Sequence, residues 1–411
     1  MIQFNRFALS NGLRVLVHED PSTPMAVVNV LYDVGARDED PRRTGFAHLF
    51  EHLMFGGSLH IPEYDDPLQR AGGENNAYTT NDLTNYYIQL PAENLETAFW
   101  LESDRMLSLA FSPESLEVQR KVVSEEFKEH YLNKPYGDAW MKIRQMAYKV
   151  HPYRWQTIGK DLSHIENATL PDVKSFFFAH YRPLNAILVV AGKVKTEEVQ
   201  RLAEKWFGPI EPGTAYVRDL PQEPPQHEQR KETVEAKVPL DAFYKTWHMG
   251  GRWSPRYYAM DLLAEVLGGG GSSRLYQALV KEKKLFSNIE CYHFGTLDPG
   301  LVAIEGKLIK GVSFEEAEAG IEEVLVGVKA EPVGDRELDK VKHKTESMIA
   351  FEDMSLMNRA ASLAFYELLG DAAQINEELD KYRAVGAGAL LEEARSVFTP
   401  GNSNTLYYHA Q

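Results

Sequence analysis

The segment His48-Leu49-Phe50-Glu51-His52 contains the residue types and the spacing of a metal-dependent hydrolase. In an α-helix, where successive residues turn by about 100°, His48 and His52 lie one turn apart, so both imidazoles can bind a single ion. Glu51 projects beside them, where its carboxylate can accept a proton from water next to the ion. This is the reversed zinc-protease motif, H-x-x-E-H. It predicts a metal centre with Glu51 as the general base.

The residues from Gly45 to Phe55 have the apolar pattern of a helix with one buried face. Five apolar side chains fall in one stripe on the side opposite the motif: Phe46, Leu49, Phe50, Leu53 and Met54. A plain surface helix is the alternative interpretation. The metal site is favoured because solvated helix faces usually carry lysine and glutamate rather than paired histidines.

A catalytic zinc site needs a third protein ligand. Three side chains hold the ion, and a fourth position is left for water, whose pKa falls towards about 7. The chain has one cysteine, Cys291, so the third ligand must be a histidine or a carboxylate. The best candidate helix begins at Ser112, an N-cap residue, with Pro113 at its first position and Glu114 in its first turn.

Glu126, on this second helix, is the predicted third ligand. Two apolar strips run along the helix, one of Leu116, Val123 and Phe127 and one of Val118 and Val122. Glu126 and Gln119 lie between the strips, whereas Glu125 lies at the outer edge of the second strip. A carboxylate between apolar neighbours is costly unless it is paired or coordinated, which favours Glu126 over Glu125. A buried salt bridge of Glu126 is the alternative.

The composition is that of a folded chain with an acidic surface. The 411 residues are 44% hydrophobic and 25% charged, and their number predicts two or three domains. The formal net charge of -16 disfavours a nucleic-acid partner. No run approaches the roughly 18 apolar residues of a membrane span. The first residues lack the pattern of a secretion signal, so the predicted location is cytoplasmic, or periplasmic if a leader peptide has been removed.

The chain is predicted to contain two related halves. Residues 211–227 hold four prolines and many polar residues, which is typical of a linker between domains 1–210 and 228–411. Each half opens with strand-like segments and a helix that ends in glycines, and matching these ends sets residues 48, 51 and 52 opposite Met260, Leu263 and Ala264. The sequence therefore predicts an α+β fold of two structurally related domains, each an antiparallel-rich sheet with helices, with a zinc site only in the first.

These motifs resemble the M16 (pitrilysin/insulinase) metallopeptidases, in particular the branch that includes the mitochondrial processing peptidase. The resemblance covers most of the chain and includes the opening Asn11-Gly12-Leu13, the His48 helix, the segments 76–79, 120–126 and 151–153, and the glycine-rich 267–274. Glu126 follows His52 by 74 residues, close to the family spacing. The resemblance implies one half of a clamshell, with one Zn²⁺ per subunit bound by His48, His52 and Glu126 and with Glu51 as the general base.

Two departures from the family pattern bear on activity. Gln119 stands where the family usually has a supporting glutamate, and it can donate a hydrogen bond but supplies no charge. Lys281 and Asn288 stand where active members carry an arginine and a tyrosine that bind the substrate. In some heteromeric members a second subunit supplies that pair. The resemblance therefore implies a dimer in which a homologous partner chain provides it.

Asn76, Ala77 and Tyr78 lie in a segment that resembles the family's substrate-facing edge strand. An unpaired edge can bind an extended peptide as an added strand; an ordinary hairpin strand is the alternative. The predicted function is zinc-dependent endopeptidase action on short or unfolded peptides, since the chamber implied by the family would exclude folded substrates. The alternative is a non-catalytic scaffold or core subunit of a larger complex, which the missing arginine and tyrosine favour and the intact metal motif disfavours.

Overall fold

The computed structural model describes residues 1–411 as a mixed α+β protein with two β-sheets. The predicted fold class is thereby confirmed. No helix is both long enough and apolar enough to cross a membrane. The eleven strands are β1 (Asn5–Ala8), β2 (Arg14–Glu19), β3 (Met25–Tyr32), β4 (Glu74–Thr79), β5 (Thr84–Pro91), β6 (Ala186–Gly192), β7 (Arg230–Ala236), β8 (Ala242–Met249), β9 (Phe286–His293), β10 (Gly300–Leu308) and β11 (Ser403–Ala410).

Fourteen α-helices accompany the strands. They are α1 (Phe46–Leu53), α2 (Asp65–Arg70), α3 (Leu95–Leu107), α4 (Pro113–Phe127), α5 (Ala139–Ala147), α6 (Leu162–Glu166), α7 (Leu170–His180), α8 (Thr196–Trp206), α9 (Tyr257–Gly268), α10 (Phe314–Ala330), α11 (Asp335–Glu352), α12 (Leu356–Leu368), α13 (Glu378–Ala384) and α14 (Ala387–Val397). Two π-helices span Lys128–Asn133 and Tyr276–Glu282. Six short 3₁₀ helices complete the regular structure, the first at Ala36–Asp38.

The chain forms two compact units, and each unit takes segments from both halves of the sequence. The first unit comprises residues 1–128, 155–220 and 349–377, and the second comprises residues 129–154, 221–348 and 378–411. No helix or strand occurs within residues 211–227. The boundaries at 210 and 228 stay a prediction. They do not account for residues 129–154, which precede the linker but belong to the second unit, or for residues 349–377, which follow it but belong to the first.

The two sheets have the same strand order apart from one extra strand. The first unit orders its strands β1-β2-β6-β3-β5-β4, and the second orders them β7-β11-β8-β10-β9. In each sheet the first strand of the shared pattern pairs in parallel, β2 with β6 and β7 with β11, and the other pairings are antiparallel. Helices α1 and α9 each follow the third strand of this pattern, β3 and β8. Met260, Leu263 and Ala264 are buried on α9, as an apolar counterpart of the metal motif requires.

The sheet of the first unit is buried because its central strands are apolar on both faces. All seven residues of β6 are buried, and β3 is buried from Ala26 to Tyr32. Helix α12 covers one face, where Ala360 and Leu363 pack with Leu16, Val27 and Val189. On the other face Phe50 of α1 stacks on Tyr181, with ring centroids 5.3 Å apart, and Tyr181 lies 4.8 Å from Tyr32 of β3. This aromatic packing fixes the back of α1 against the sheet.

Candidate metal centre

Helix α1 presents His48, Glu51 and His52 away from the buried core. Its buried residues are Phe46, Ala47, Leu49, Phe50 and Leu53. The side chains of His48 and His52 keep 13% and 25% of their surface exposed. Their rings lie 4.8 Å apart between centroids and are almost perpendicular, at 83°. The apolar stripe expected from the sequence is therefore the packed face, and the motif lies on the accessible one.

Helix α4 brings Glu126 to the two histidines. It begins where the sequence predicts, since the Ser112 side chain accepts a hydrogen bond from the Ser115 N–H at 2.9 Å and Pro113 is the first helical residue. Glu126 Oε1 lies 3.7 Å from His48 Nε2, and Glu126 Oε2 lies 3.5 Å from His52 Nε2. One potential ligand atom from each of the three residues lies within 4.8 Å of the other two. Segments far apart in sequence thus converge on one point.

This donor set fits zinc. Ligand atoms about 2.0–2.2 Å from a tetrahedral ion lie roughly 3.4 Å from one another. The nearest imidazole-to-carboxylate distances are similar, 3.7 Å from His48 Nε2 to Glu126 Oε1 and 3.5 Å from His52 Nε2 to Glu126 Oε2, and one atom from each residue lies within 4.8 Å of the others. Burial lowers the pKa of His48 to about 4, so this imidazole is neutral at ordinary pH, the form that binds metals. His48 Nδ1 is buried without a hydrogen-bond partner, which leaves Nε2 as the nitrogen directed at Glu126.

Glu51 is held by a residue that the sequence reasoning did not single out. Thr79, the last residue of β4, donates a hydrogen bond from Oγ1 to Glu51 Oε2 at 2.6 Å. Burial raises the pKa of Glu51 above its usual value, and the bond from Thr79 opposes that rise. A carboxylate with a raised pKa is a stronger base, as proton abstraction near neutral pH requires. In the sequence, Thr79 is visible only as the last residue of the segment 76–79, and nothing in that position indicates a hydrogen bond to Glu51.

The structure separates the two adjacent glutamates of α4. The Glu125 side chain is 73% exposed and pairs with Lys128 at 2.8 Å, whereas Glu126 lies with the histidines. Gln119, seven residues before Glu126, is half-buried on the same face of α4. The second apolar strip, Val118 and Val122, does not form a buried surface, because these side chains are 54% and 44% exposed. The buried strip consists of Leu116, Val123 and Phe127, so apolar packing flanks Glu126 on one side.

Asn76, Ala77 and Tyr78 lie on β4, the last strand of the six-stranded sheet. β4 pairs with β5 on one side, where Ala77 is opposite Tyr86. Exposure alternates along β4, and Asn76 and Tyr78 are exposed while Ala77 and Thr79 are half-buried. Thr79 reaches Glu51 from the half-buried face. The strand that the sequence picks out is therefore both a sheet edge and a neighbour of the metal helix.

Lys281 and Asn288 belong to the second unit. Lys281 lies on the π-helix Tyr276–Glu282, and Asn288 lies on β9, opposite Lys307 of β10. Both residues are exposed. They are seven positions apart in the sequence, and neither is an arginine or a tyrosine, so their part in substrate binding stays a prediction.

Two family models match the chain. Residues 14–159 match the model described as insulinase (peptidase family M16), and residues 167–345 match the one described as the peptidase M16 inactive domain. The zinc protease PqqE of Helicobacter pylori is 30% identical over 97% of this chain and 91% of its own length. The β subunit of the mitochondrial-processing peptidase of Saccharomyces cerevisiae is 29% identical over 49% of this chain and 44% of its own. A crystal structure of a protease from Helicobacter pylori has a TM-score of 0.92, with 28% identity and coverage of 99% of this chain and 100% of the other.

The chain belongs to the M16 family of peptidases. The resemblance inferred from the motifs is thereby confirmed. The fold found in the structure is the fold of the family, since the match to the solved Helicobacter pylori protease extends over nearly the whole of both chains.

Proposed function

We propose that the protein is a zinc-dependent endopeptidase that hydrolyses peptide bonds in short or unfolded peptides. The observation that carries this proposal is the convergence of His48, His52 and Glu126 on one point. Glu51, on the same helix as the two histidines, is not one of these three ligands and is hydrogen-bonded to Thr79 instead. Two histidines and one glutamate are a ligand set of catalytic zinc sites, which keep a fourth position open. The names of the relatives, several of which are zinc proteases, support the same activity.

The chain's own residues account for the remaining steps of hydrolysis. A zinc ion held by the three side chains supplies a Lewis acid that polarises a peptide carbonyl and acidifies water. Glu51 accepts the proton of the attacking water and passes it to the leaving amine nitrogen. The bond from Thr79 keeps Oε2 in a fixed orientation for both transfers.

The edge strand β4 is the proposed site for substrate binding. An extended peptide can pair with the free side of β4 along Asn76, Ala77 and Tyr78, through backbone hydrogen bonds at alternate residues, in the manner of strand addition. The Asn76 Oδ1, which accepts from the Ala77 N–H at 2.8 Å, would have to release that N–H to the peptide. Because Thr79 ends the same strand and contacts Glu51, a peptide bound there lies next to the general base. Recognition of backbone rather than side chains favours unfolded substrates.

We propose further that the active form is a dimer, and that a homologous partner chain supplies the arginine and tyrosine absent at Lys281 and Asn288. The yeast relative is named a β subunit, which is consistent with its working alongside another subunit. If Lys281 and Asn288 themselves bind substrate, alanine at both positions will raise KM. If the partner supplies the pair, the double variant will retain its KM, and the purified chain alone will be weakly active.

The decisive experiment is cleavage of an unstructured peptide by the zinc-loaded protein and by Glu51→Gln. The variant keeps the ligands, so we expect one zinc per chain and a loss of activity of about 10²–10⁴-fold. Glu125→Gln, the same change at an exposed neighbour of Glu126, is the matched control and should be fully active. Equal activity of wild type and Glu51→Gln, alone and with a homologous partner, would instead identify a scaffold subunit.

A further inference from the structure

Glu39 is a buried carboxylate at the entrance to the metal helix. It lies six residues before Gly45, follows the short helix Ala36–Asp38 and is 4% exposed. Its contacts are directed at the start of α1. Glu39 Oε2 accepts a hydrogen bond from the Gly45 N–H at 2.9 Å, and Glu39 Oε1 accepts one from the Ala47 N–H at 2.8 Å.

The first turn of α1 lacks a cap of its own. Gly45 occupies the N-cap position with φ = 88°, and no side chain there can accept the free N–H groups. A larger residue is excluded, because a Cβ on Gly45 would lie 2.5 Å from the Ile158 carbonyl oxygen. The Ala47 N–H at the second helical position, which an N-cap serine or aspartate would normally satisfy, is therefore satisfied by Glu39, from outside the helix.

A third donor holds the carboxylate in place. Trp155 Nε1 donates to Glu39 Oε2 at 3.0 Å and is also 3.0 Å from the Ala36 carbonyl oxygen. Trp155 is itself 4% exposed. Both oxygens of Glu39 are thus used as acceptors, and each has a defined N–H partner on α1.

The two bonds to α1 constrain the rotation of the helix as well as its position. They attach to residues two apart, and Ala47 immediately precedes His48. Because α1 has only eight residues, a rotation of its first turn carries through to His52. Catalytic geometry depends on ligands held within fractions of an ångström, which requires such support.

We infer that Glu39 is a positioning residue of the metal centre: it fixes the first turn of α1 so that His48 and His52 face Glu126. This inference rests on the proposed function. Glu39 touches neither the ligands nor Glu51, and it acts through the backbone of Gly45 and Ala47.

The test is Glu39→Gln. An amide NH₂ group replaces one of the two acceptor oxygens, so one of the hydrogen bonds from the Gly45 and Ala47 N–H groups is lost. We expect zinc affinity, measured by competition with a chelator, to fall by about 10–100-fold. The visible spectrum of the Co²⁺-substituted variant should change, since it reports ligand geometry. In the metal-free protein, hydrogen exchange of the amides of residues 45–53 should become faster. Glu39→Asp, which keeps both oxygens, should recover part of each property.

Glu367→Gln is the matched control. Glu367 is also a buried glutamate of the first unit, 5% exposed, with Arg6 at 3.1 Å and the Ala372 N–H at 3.4 Å. It lies on α12, away from the start of α1. We expect it to lower the melting temperature while leaving zinc affinity, the Co²⁺ spectrum and exchange in residues 45–53 unchanged.

Three outcomes separate the possibilities. Wild-type zinc affinity and wild-type exchange in Glu39→Gln would overturn the inference, as would an equal loss of zinc in Glu367→Gln. If wild type itself binds no zinc, the proposed function fails, and the exchange of residues 45–53 still decides whether Glu39 holds α1. If Glu39→Gln does not fold, the same measurements on Glu39→Ala decide, and wild-type zinc affinity and exchange in that variant would refute the inference.

Discussion

Thr79 Oγ1 donates a 2.6 Å hydrogen bond to Glu51 Oε2, so the last residue of the edge strand touches the proposed general base on helix α1. The two residues are 28 positions apart, on β4 and α1. In the proposed mechanism, peptide binding and proton transfer therefore share one contact. A peptide paired with β4 would lie beside the proposed base, whose carboxylate is hydrogen-bonded to the same strand.

Thr79→Val removes this hydroxyl while keeping the shape of the side chain. Because a hydrogen bond to a charged group contributes about 1.5–3 kcal/mol, we expect kcat to fall by roughly 10–100-fold. Zinc content should stay at the wild-type value, since Thr79 is not a ligand. Steady-state kinetics and metal analysis check this. Thr214→Val, at an exposed position of the linker, controls for the substitution itself. Unchanged kcat in Thr79→Val would show that Glu51 does not need the bond.

Glu126→Gln and Glu125→Gln test the ligand assignment with the same change at adjacent positions. Glu126 lies within 3.7 Å of both imidazoles, and Glu125 faces solvent. Loss of a direct ligand costs more than the 10–100-fold typical of outer contacts, so zinc affinity of Glu126→Gln should fall by at least about 100-fold. Glu125→Gln should bind zinc normally. A larger loss of zinc affinity in Glu125→Gln than in Glu126→Gln would instead identify Glu125 as the ligand.

Removal of the metal should abolish cleavage reversibly. Dialysis against a strong chelator should leave a folded but inactive protein, because the core of the first unit packs through α12 and the aromatic residues behind α1 rather than through the ion. Added Zn²⁺ should restore activity at one ion per chain. The checks are far-ultraviolet circular dichroism and peptide cleavage before and after zinc is returned. Activity that survives chelation would contradict the proposed chemistry.

Gly45→Ala should destabilise the protein more than Gly370→Ala does. Both glycines have positive φ, 88° and 110°, and that conformation alone costs a non-glycine residue about 1–2 kcal/mol. At Gly370 nothing lies within 4 Å of the added Cβ, whereas at Gly45 the Ile158 carbonyl oxygen lies at 2.5 Å. We expect a loss of at least about 3 kcal/mol for Gly45→Ala in urea unfolding. Equal losses of unfolding free energy in the two variants would mean that the backbone near Ile158 can move away from the added Cβ without destabilising the protein.

His180 should make the metal-free protein less stable in acid. Burial lowers the pKa of this imidazole to about 4, below its ordinary value of 6.5. The unfolded chain therefore binds the proton first as pH falls, so stability from the neutral imidazole is complete above pH 6.5 and is lost as pH falls towards 4. The loss is of the order of 3 kcal/mol. In His180→Gln the dependence should weaken by this amount, leaving the part due to His48, whose pKa burial also lowers to about 4, whereas exposed His343→Asn should keep the full dependence.

Local patterns were sufficient to predict the elements of the site. The periodicity of residues 45–55, the cap at Ser112 and the spacing of the motif depend on neighbours within one turn, and α1 and α4 begin within a residue of the predicted positions. The pairing of Glu126 with the histidines followed from the family resemblance together with its burial pattern. Part of that pattern misled, because Val118 and Val122 are apolar yet exposed.

Long-range contacts could not be predicted from one sequence. Thr79 and Glu39 act through hydrogen bonds to residues outside their own elements, and the sequence around each carries no signal for its partner. The assignment of segments from each half of the sequence to both units likewise depends on contacts between residues far apart in the chain. Helix α5 packs in the second unit, with Ile143 against Leu301 and Tyr408, although it precedes the linker.

The packing of α12 on the first sheet affects how the protein is made. Leu16, Val27 and Val189 are covered by Ala360 and Leu363, which the ribosome adds some 170 residues after β6 has been completed. During that interval the nascent chain exposes an apolar sheet face that it cannot yet cover. The amino-terminal half therefore has to be kept from aggregating until translation is nearly finished, and a gene fragment that stops at the linker would encode a polypeptide without a complete core.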